Sequence, residues 1–280
     1  MVNSTVHMPT ILVTNDDGIH AAGLAALAEA MQPLGDVLVV APHQESSAIG
    51  HALTLRRPLR LDQHGPNRYA VDGTPTDCVN IAVAVLLEGR LPDLVVSGIN
   101  TGWNLGDDVT YSGTVSGALE AALLGAPAIA VSLMRTRDWR FDFGPSAAVA
   151  HALAARVLAT GLPERTFLNV NVPKGTPKGV RVTVQGKRNH VTTIATREDP
   201  RGLHYFWIEE GQDDWLPHDH SDYQACRDGY VSITPLQPDM TAHGALDGVR
   251  ALVAGRGPTA RRAVSARTTR GRSRPRPGKR

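Results

Sequence analysis

Two adjacent aspartates, Asp16 and Asp17, follow a short apolar run at positions 10–14 and precede Gly18. Two carboxylates this close repel each other and raise a pKa unless positive charge lies between them. Together with a hydroxyl and an amide oxygen they would form an all-oxygen site, which favours Mg²⁺ or Mn²⁺ over zinc. The alternative is structural: Asp16 caps the following helix, and Asp17 forms a turn with Gly18.

Oxygen-bearing side chains also follow the next two buried strands that the sequence predicts. The segments are 41–48, which contains Ser47, and 98–107, which contains Asn100 and Asn104. Ligands of an open parallel sheet bind at the carboxyl ends of its strands, where all three segments would converge. The two companion segments therefore favour the metal site over the structural alternative.

The segment from Tyr111 to Thr114 lies directly before a predicted helix at 115–124. Small residues let the backbone approach a ligand, and the N–H groups of a helix N-terminus favour an anion. With Ser112 and Thr114 as hydroxyl donors, this is a candidate phosphate cradle; the alternative is an ordinary Ser/Thr N-cap. No Walker-type loop is present, so a triphosphate site is not supported. A metal beside an anion cradle indicates phosphoryl chemistry by an activated water.

Short apolar segments alternate with helical patterns over the first 172 residues, which predicts an α/β fold with a parallel sheet and helices on both faces. The predicted strands are 10–14, 36–42, 92–97, 126–133 and 167–172. The predicted helices are 21–31, 76–87, 115–124 and 146–160.

The pattern changes after Pro173. Strands are predicted at 180–185, 204–209 and 230–235 without intervening helices, followed by a short helix within 239–253. Arg, Pro, Gly, Ser and Thr prevail from Gly255 onward, which is typical of a disordered tail. The predicted organisation is a catalytic core at 9–172, a β-rich extension with a C-terminal segment at 173–253, and a basic tail at 254–280.

The overall composition fits a globular protein. Of the 280 residues, 42% are hydrophobic, which is enough for one large core. No apolar run approaches the roughly 18 residues of a membrane helix, and the start lacks the pattern of a secretory signal. Cys78 and Cys226 are too few for a disulfide framework or a cysteine zinc site. We therefore expect a cytoplasmic protein without a membrane span.

The net charge of +2 conceals an uneven distribution. Residues 256–280 hold ten Lys or Arg and no acid, which leaves a formal charge of −8 on the rest of the chain. The sequence is thus an acidic domain with a basic tail. Binding of RNA, DNA or anionic lipid by the tail is one hypothesis. A solvated tail with no dedicated partner is the one we favour.

Four motifs, in order and at matching spacing, resemble the SurE family, the survival-protein-E nucleotidases. The motifs are 11–18 (ILVTNDDG), 47–51 (SAIGH), 97–106 (SGINTGWNLG) and 111–115 (YSGTV). Further segments that fit are 73–78, 199–202 and 229–236. The resemblance covers roughly residues 9 to 240.

The resemblance implies a divalent-metal-dependent phosphatase of nucleoside 5'- and 3'-monophosphates, with one Mg²⁺ or Mn²⁺ per subunit. The implied metal ligands are Asp16, Asp17, Ser47 and Asn100, and the implied phosphate-binding residues are Asn104, Ser112, Gly113 and Thr114. A metal-activated water would attack, with Asp16 or Asp17 assisting its deprotonation. The family fold is a Rossmann-like three-layer core with a β-rich extension that exchanges between subunits, which implies a homodimer or homotetramer.

Other roles stay open beside this one. A nucleotide or phosphate sensor would use the same crevice without turnover, although it would not need acids that activate water. His51 is a proton donor to the leaving nucleoside oxygen or, as we favour, a structural residue. We expect ordinary packing, turn or solvated roles for His43, Trp103, Asp107, Asp108 and the run 218–222.

Overall fold

A nine-stranded sheet is the centre of the computed structural model, which describes residues 8–136, 140–188, 193–209 and 215–255. The first strands are β1 (Thr10–Thr14), β2 (Asp36–Pro42), β3 (Leu61–Gly65), β4 (Arg68–Val71), β5 (Leu94–Thr101) and β6 (Ala128–Leu133). The remaining strands are β7 (Phe167–Val172), β8 (Val180–Val182), β9 (Thr193–Glu198), β10 (His204–Glu209) and β11 (Val231–Leu236). The spatial order is β3-β4-β2-β1-β5-β6-β7-β11-β8, and β9 and β10 form a separate antiparallel hairpin.

Six neighbouring strands of the main sheet, from β4 to β7, run parallel. At one edge β3 is antiparallel to β4, and at the other β11 is antiparallel to β7 and parallel to β8. Central strands such as β1, with four of its five residues buried, are covered on both faces and therefore read as apolar runs.

Helices cover both faces of the sheet and make three layers. The helices are α1 (Ala22–Met31), α2 (Pro75–Ile81), α3 (Gly113–Leu124), α4 (Gly144–Thr160) and α5 (Asp222–Arg227). Val13 packs in one core with residues of α1 and α4, whereas its neighbour Leu12 packs in a second core with residues of α2 and α3. Alternating side chains of each strand thus enter opposite layers.

The strands become polar towards their carboxyl ends on the α3 side of the sheet. Five fully buried polar residues lie there: Thr14, Ser97, Ser132, Asn169 and Asn171. Among the described residues, Thr14 Oγ1, Ser97 Oγ and Asn169 Oδ1 find no hydrogen-bond partner. Polar groups are costly to bury without partners. These five residues therefore indicate that the carboxyl edge of the sheet under α3 makes polar contacts.

The elements of the predicted core are confirmed, and β1, β2 and β7 have the predicted bounds. Strands β3 and β4 were not expected. The helix predicted at 76–87 ends at Ile81 and continues as a π-helical turn at Ala82–Leu86. The expectation that no helix interrupts the extension is wrong, because α5 precedes β11. In addition, β8 and β11 extend the main sheet.

A first compact unit ends at Pro238, and a second runs from Asp239 to Arg280. The described part of the second unit contains a 3₁₀ turn at His243–Ala245 and α6 (Leu246–Val253), which confirms the short helix expected there. The basic tail at 256–280 lies outside the described residues. No described helix combines the length and the apolar character needed to cross a bilayer.

Candidate active site at the carboxyl edge of the sheet

The aspartate pair lies in a tight turn directly after β1. Asn15 closes this turn, because its Oδ1 accepts from the Gly18 N–H and its Nδ2 donates to the Gly18 carbonyl, both at 3.2 Å. Helix α1 begins only at Ala22, and its N-cap residue, Ala21, makes no side-chain capping bond. The part of the structural alternative in which Asp16 caps this helix is therefore wrong, whereas the turn expected at Asp17 and Gly18 is present.

The electrostatics of the pair are those of a cation site. Asp16 is only 5% exposed, and burial raises its pKa even though hydrogen bonds from Thr114 and nearby backbone groups oppose the rise. Burial, followed by the charges of Asp16 and Glu45, raises the pKa of Asp17 to about 7, and Arg135 acts in the opposite direction. A divalent cation would relieve this accumulation of negative charge.

The loop after β2 lies against the aspartate turn. The Ser46 N–H donates to the Asp16 carbonyl at 2.7 Å, and the Ile19 N–H donates to the Pro42 carbonyl at 2.8 Å. In the same loop the exposed Ser47 donates its hydroxyl to Glu45 Oε1 at 2.6 Å. The Ser47 oxygen retains lone pairs, so it remains a possible metal ligand.

Asn100 stands at the carboxyl end of β5, which is the other neighbour of β1. The register between β5 and β6 shifts between Gly98 and Asn100, and such a bulge redirects the side chains that follow it. Asn100 Nδ2 donates to the Gly102 carbonyl at 2.8 Å, a bond that fixes the amide without using its Oδ1. The amide oxygen is thus the atom with which Asn100 would bind a metal.

Helix α3 starts directly against Asp16. The Thr114 hydroxyl donates to Asp16 Oδ1. A methyl group on Gly113 would lie 2.7 Å from Asp16 Cβ and 2.9 Å from Asp16 Oδ2, so only glycine fits this position. Ser112 is the N-cap, and its Oγ accepts from the Val115 N–H at 3.0 Å. Ser112 therefore does cap the helix, while its hydroxyl hydrogen is still available to an anion.

Asn104 is fixed by a buried amide network. Its Nδ2 donates to Ser132 Oγ at 2.8 Å, and its N–H donates to Asn171 Oδ1 at 2.8 Å. Its carbonyl accepts from Asn169 Nδ2 at 2.8 Å and from Asn171 Nδ2 at 3.1 Å. The loop after β5 is therefore held firmly on β6 and β7.

The donor set fits a hard cation. Among the described residues, no three His, Cys, Asp or Glu side chains are grouped so as to hold a metal ion. A metal at the aspartate pair would therefore complete its coordination with neutral oxygens, which Ser47 offers on the loop after β2 and Asn100 at the end of β5. Carboxylate, hydroxyl, amide and water oxygens are the ligands of Mg²⁺ and Mn²⁺.

Several charged residues near the site were not found from the sequence. Glu45 and Arg135 both influence the charge of Asp17, and the Arg135 Nε donates to the Thr101 carbonyl at 3.3 Å. The solvated role expected for the run 218–222 is wrong for Asp222, which is fully buried and accepts from the Gly106 N–H at 2.8 Å across 116 residues of sequence. No local motif signals such contacts, because each depends on the order of the strands.

The sequence also predicted packing, turn or solvated roles for several residues. Trp103 donates its Nε1 to the Val172 carbonyl at 2.8 Å, which supports the packing role. The turn expected at Asp107 and Asp108 is confirmed by a 3₁₀ turn at Gly106–Thr110. His43 lies directly after β2, and its half-buried ring lies 3.1 Å from Asp62 Oδ2.

Fold and site together define an α/β protein in which a buried acidic pair at the carboxyl edge of the sheet contacts the N-terminus of a helix. The family model described as Survival protein SurE matches residues 11–192. The chain therefore belongs to the SurE family. The matched residues include all the candidate site residues. The resemblance to the SurE family that the four motifs predict is confirmed.

Individual relatives extend the similarity over most of the chain. A protein of Geotalea daltonii named 5'-nucleotidase SurE is 54% identical over 239 residues, covering 84% of this chain and 96% of that protein. One of Syntrophotalea carbinolica with the same name is 52% identical over 231 residues, covering 82% and 92%. The crystal structure of the SurE protein from Aquifex aeolicus has a TM-score of 0.79 at 43% identity, covering 88% of this chain and all of that one.

Proposed function

We propose that this chain is a divalent-metal-dependent 5'-nucleotidase that hydrolyses nucleoside 5'-monophosphates, and 3'-monophosphates, to nucleoside and phosphate. The observation that carries the proposal is the contact of a buried carboxylate with the N-terminus of a helix, in which Thr114 of α3 donates to Asp16. The names of the relatives, at 52% and 54% identity over more than four fifths of the chain, supply the substrate class.

One Mg²⁺ or Mn²⁺ per subunit would be held by Asp16, Asp17, Ser47 and Asn100. When bound, the metal polarises the phosphoryl group and activates a water for attack. Asp16 and Asp17 would hold the cation by charge, and one of the two would assist the deprotonation of the attacking water.

The N-terminus of α3 and Asn104 would bind the phosphate. Ser112 donates its hydroxyl hydrogen, and Gly113 and Thr114 contribute the backbone N–H groups of the first helical turn, where the helix dipole favours an anion. The Thr114 hydroxyl and the backbone of Gly113 and Thr114 also bond Asp16, so a phosphate would share this helix end with the aspartate. The second Nδ2 hydrogen of Asn104, which Ser132 does not use, is the donor we assign to a phosphate oxygen.

The subunits would associate through the extension, as a homodimer or homotetramer. The hairpin of β9 and β10 exposes Phe206 by 65%, Trp207 by 62% and Ile208 by 79%. Large apolar side chains on a two-stranded hairpin favour burial against another chain. We place the enzyme in the cytoplasm, consistent with its two free, buried cysteines.

The test is phosphate release from a panel of nucleoside 5'- and 3'-monophosphates, with Mg²⁺, with Mn²⁺ and with EDTA. Wild type should release phosphate only with metal, and Asp16→Asn should lose the activity because it removes a charge from the cation site. Asp36→Asn is the matched control, since Asp36 is exposed at the opposite end of the sheet. Metal-dependent release by Asp16→Asn at the wild-type rate would refute the mechanism. Nucleotide binding without any release would instead indicate a sensor.

A further inference from the structure

The segment that follows Ser47 has no regular secondary structure, yet hydrogen bonds connect it to α2, to α3 and to the residue before the N-cap of α3. The Gly50 N–H donates to the Tyr111 carbonyl at 2.9 Å, directly before the N-cap of α3. Thr74, the N-cap of α2, donates its hydroxyl to the Ala52 carbonyl at 2.7 Å. Thr54 bonds Asp77 of α2 through its N–H at 2.9 Å and its hydroxyl at 2.6 Å.

Within this segment, His51 makes the hydrogen bond to the interior of α3, through Glu120. Its Nε2 lies 2.7 Å from Glu120 Oε2, and Asn80 of α2 donates to Glu120 Oε1 at 2.7 Å. Glu120 is only 7% exposed. Burial alone would raise the pKa of Glu120, but the hydrogen bonds from His51 and Asn80 hold it below its usual value. Both carboxylate oxygens are thus used, one by the loop and one by α2.

The loop needs such an anchor because its own backbone is unfavourable. Between Ser47 and His51, Ala48 has φ +55° and Gly50 has φ +59°. A left-handed conformation is unfavourable at a residue with a Cβ and persists only where surrounding contacts hold it. The His51–Glu120 bond is such a contact, four residues after Ser47.

We propose that His51, held by Glu120, is a positioning residue that fixes the Ser47 loop against α3, so that the metal-binding hydroxyl and the phosphate-binding helix end keep one geometry. The inference rests on the proposed function, because it takes Ser47 as a metal ligand. Groups that orient metal ligands from behind typically change metal affinity by roughly 10- to 100-fold when they are removed.

The test measures Mn²⁺ binding directly, by titration calorimetry on EDTA-treated and dialysed full-length protein without substrate. We expect His51→Ala to raise the Kd for Mn²⁺ roughly 10- to 100-fold. His51→Gln, whose amide can still donate to Glu120, should recover most of the affinity. The matched control is His151→Ala, because half-buried His151 makes a comparable bond, 2.7 Å to the Ala30 carbonyl, in the opposite helical layer. Thermal unfolding of each variant separates a loss of stability from a loss of binding.

The outcomes separate the two claims. If wild type binds no Mn²⁺, the proposed metal mechanism falls and the inference falls with it. If wild type binds Mn²⁺ and His51→Ala binds it equally well, the inference alone is overturned. An equal loss in His51→Ala and His151→Ala would show a general stability effect and also overturn it. If His51→Ala does not fold, Glu120→Gln is measured instead. The amide weakens the bond to His51 without removing it, so we expect a Kd for Mn²⁺ between that of wild type and that of a protein without the site.

Discussion

At the scale of single residues, Gly113 decides whether α3 can touch the aspartate pair. We expect Gly113→Ala to lower kcat/KM at least 100-fold, because the added methyl would lie 2.7 Å from Asp16 Cβ and must displace the carboxylate or the helix end. A displacement of about 1 Å at a reacting centre costs on the order of 100-fold. Steady-state hydrolysis of a nucleoside monophosphate measures the effect.

The matched control for this substitution is Gly248→Ala on α6, where no atom lies within 4 Å of the added methyl. Alanine is the better helix former, so neither substitution should weaken its helix by propensity. Unchanged kcat/KM in Gly113→Ala would show that the close approach of α3 to Asp16 does not serve catalysis.

The acidic pair could be predicted from the residue types, but the residues that contact it could not. Adjacent aspartates after an apolar run are visible in the sequence, and so is the Ser-Gly-Thr segment before α3. The bond between Thr114 and Asp16 joins residues 98 positions apart, so it required the strand order. The sequence also left Ser112 open between N-cap and phosphate ligand, and the hydrogen bond to Val115 shows only that it caps the helix.

At the scale of elements, Asp222 connects the extension to the loop that carries Asn104. This first residue of α5 accepts from the Gly106 and Gly186 N–H groups, each at 2.8 Å. Burial raises the pKa of Asp222 although backbone hydrogen bonds oppose the rise. A buried carboxyl with these bonds acts as a fixed support for the loop after β5.

We expect Asp222→Asn to lower the free energy of unfolding by about 2–3 kcal/mol, because the amide offers one acceptor oxygen and sets an NH₂ group against a backbone N–H. The loosened Asn104 loop should also lower kcat/KM about tenfold, roughly 1.4 kcal/mol of transition-state binding. Urea unfolding and steady-state kinetics measure the two effects. Asp228→Asn, at the exposed end of the same helix with a surface ion pair to Arg181, should leave both the free energy of unfolding and the activity nearly unchanged. Equal effects from both substitutions would contradict the supporting role.

Buried parallel strands were predictable, whereas the elements at the sheet edges were not. The five predicted core strands are apolar runs, which burial on both faces requires. Strand β3 reads Leu-Asp-Gln-His-Gly and has three exposed residues, so it carries no apolar pattern. Strands β8 and β11 were expected in the extension, but their places beside β7 depend on pairing between distant segments.

At the scale of the whole molecule, the hairpin of β9 and β10 exposes large apolar side chains that a single chain leaves in water. Ile208 lies opposite Ile194, and both are more than half exposed. A two-stranded hairpin is only marginally stable by itself. Its apolar side chains therefore favour a second copy of the chain as their cover, in line with the homodimer or homotetramer that we propose.

We expect Ile208→Asp to shift the protein to a lower oligomeric state, because a carboxylate at this position would have to lose its water at the interface. Light scattering after size-exclusion chromatography measures the mass of the particle across a dilution series. Leu91→Asp is the control, since Leu91 is also an exposed apolar residue, at 46%, but precedes β5 rather than lying in the hairpin. If Ile208→Asp keeps the wild-type mass at every concentration, subunit association does not depend on this hairpin. If both variants dissociate, association extends to the surface around Leu91, and the extension is not its principal site.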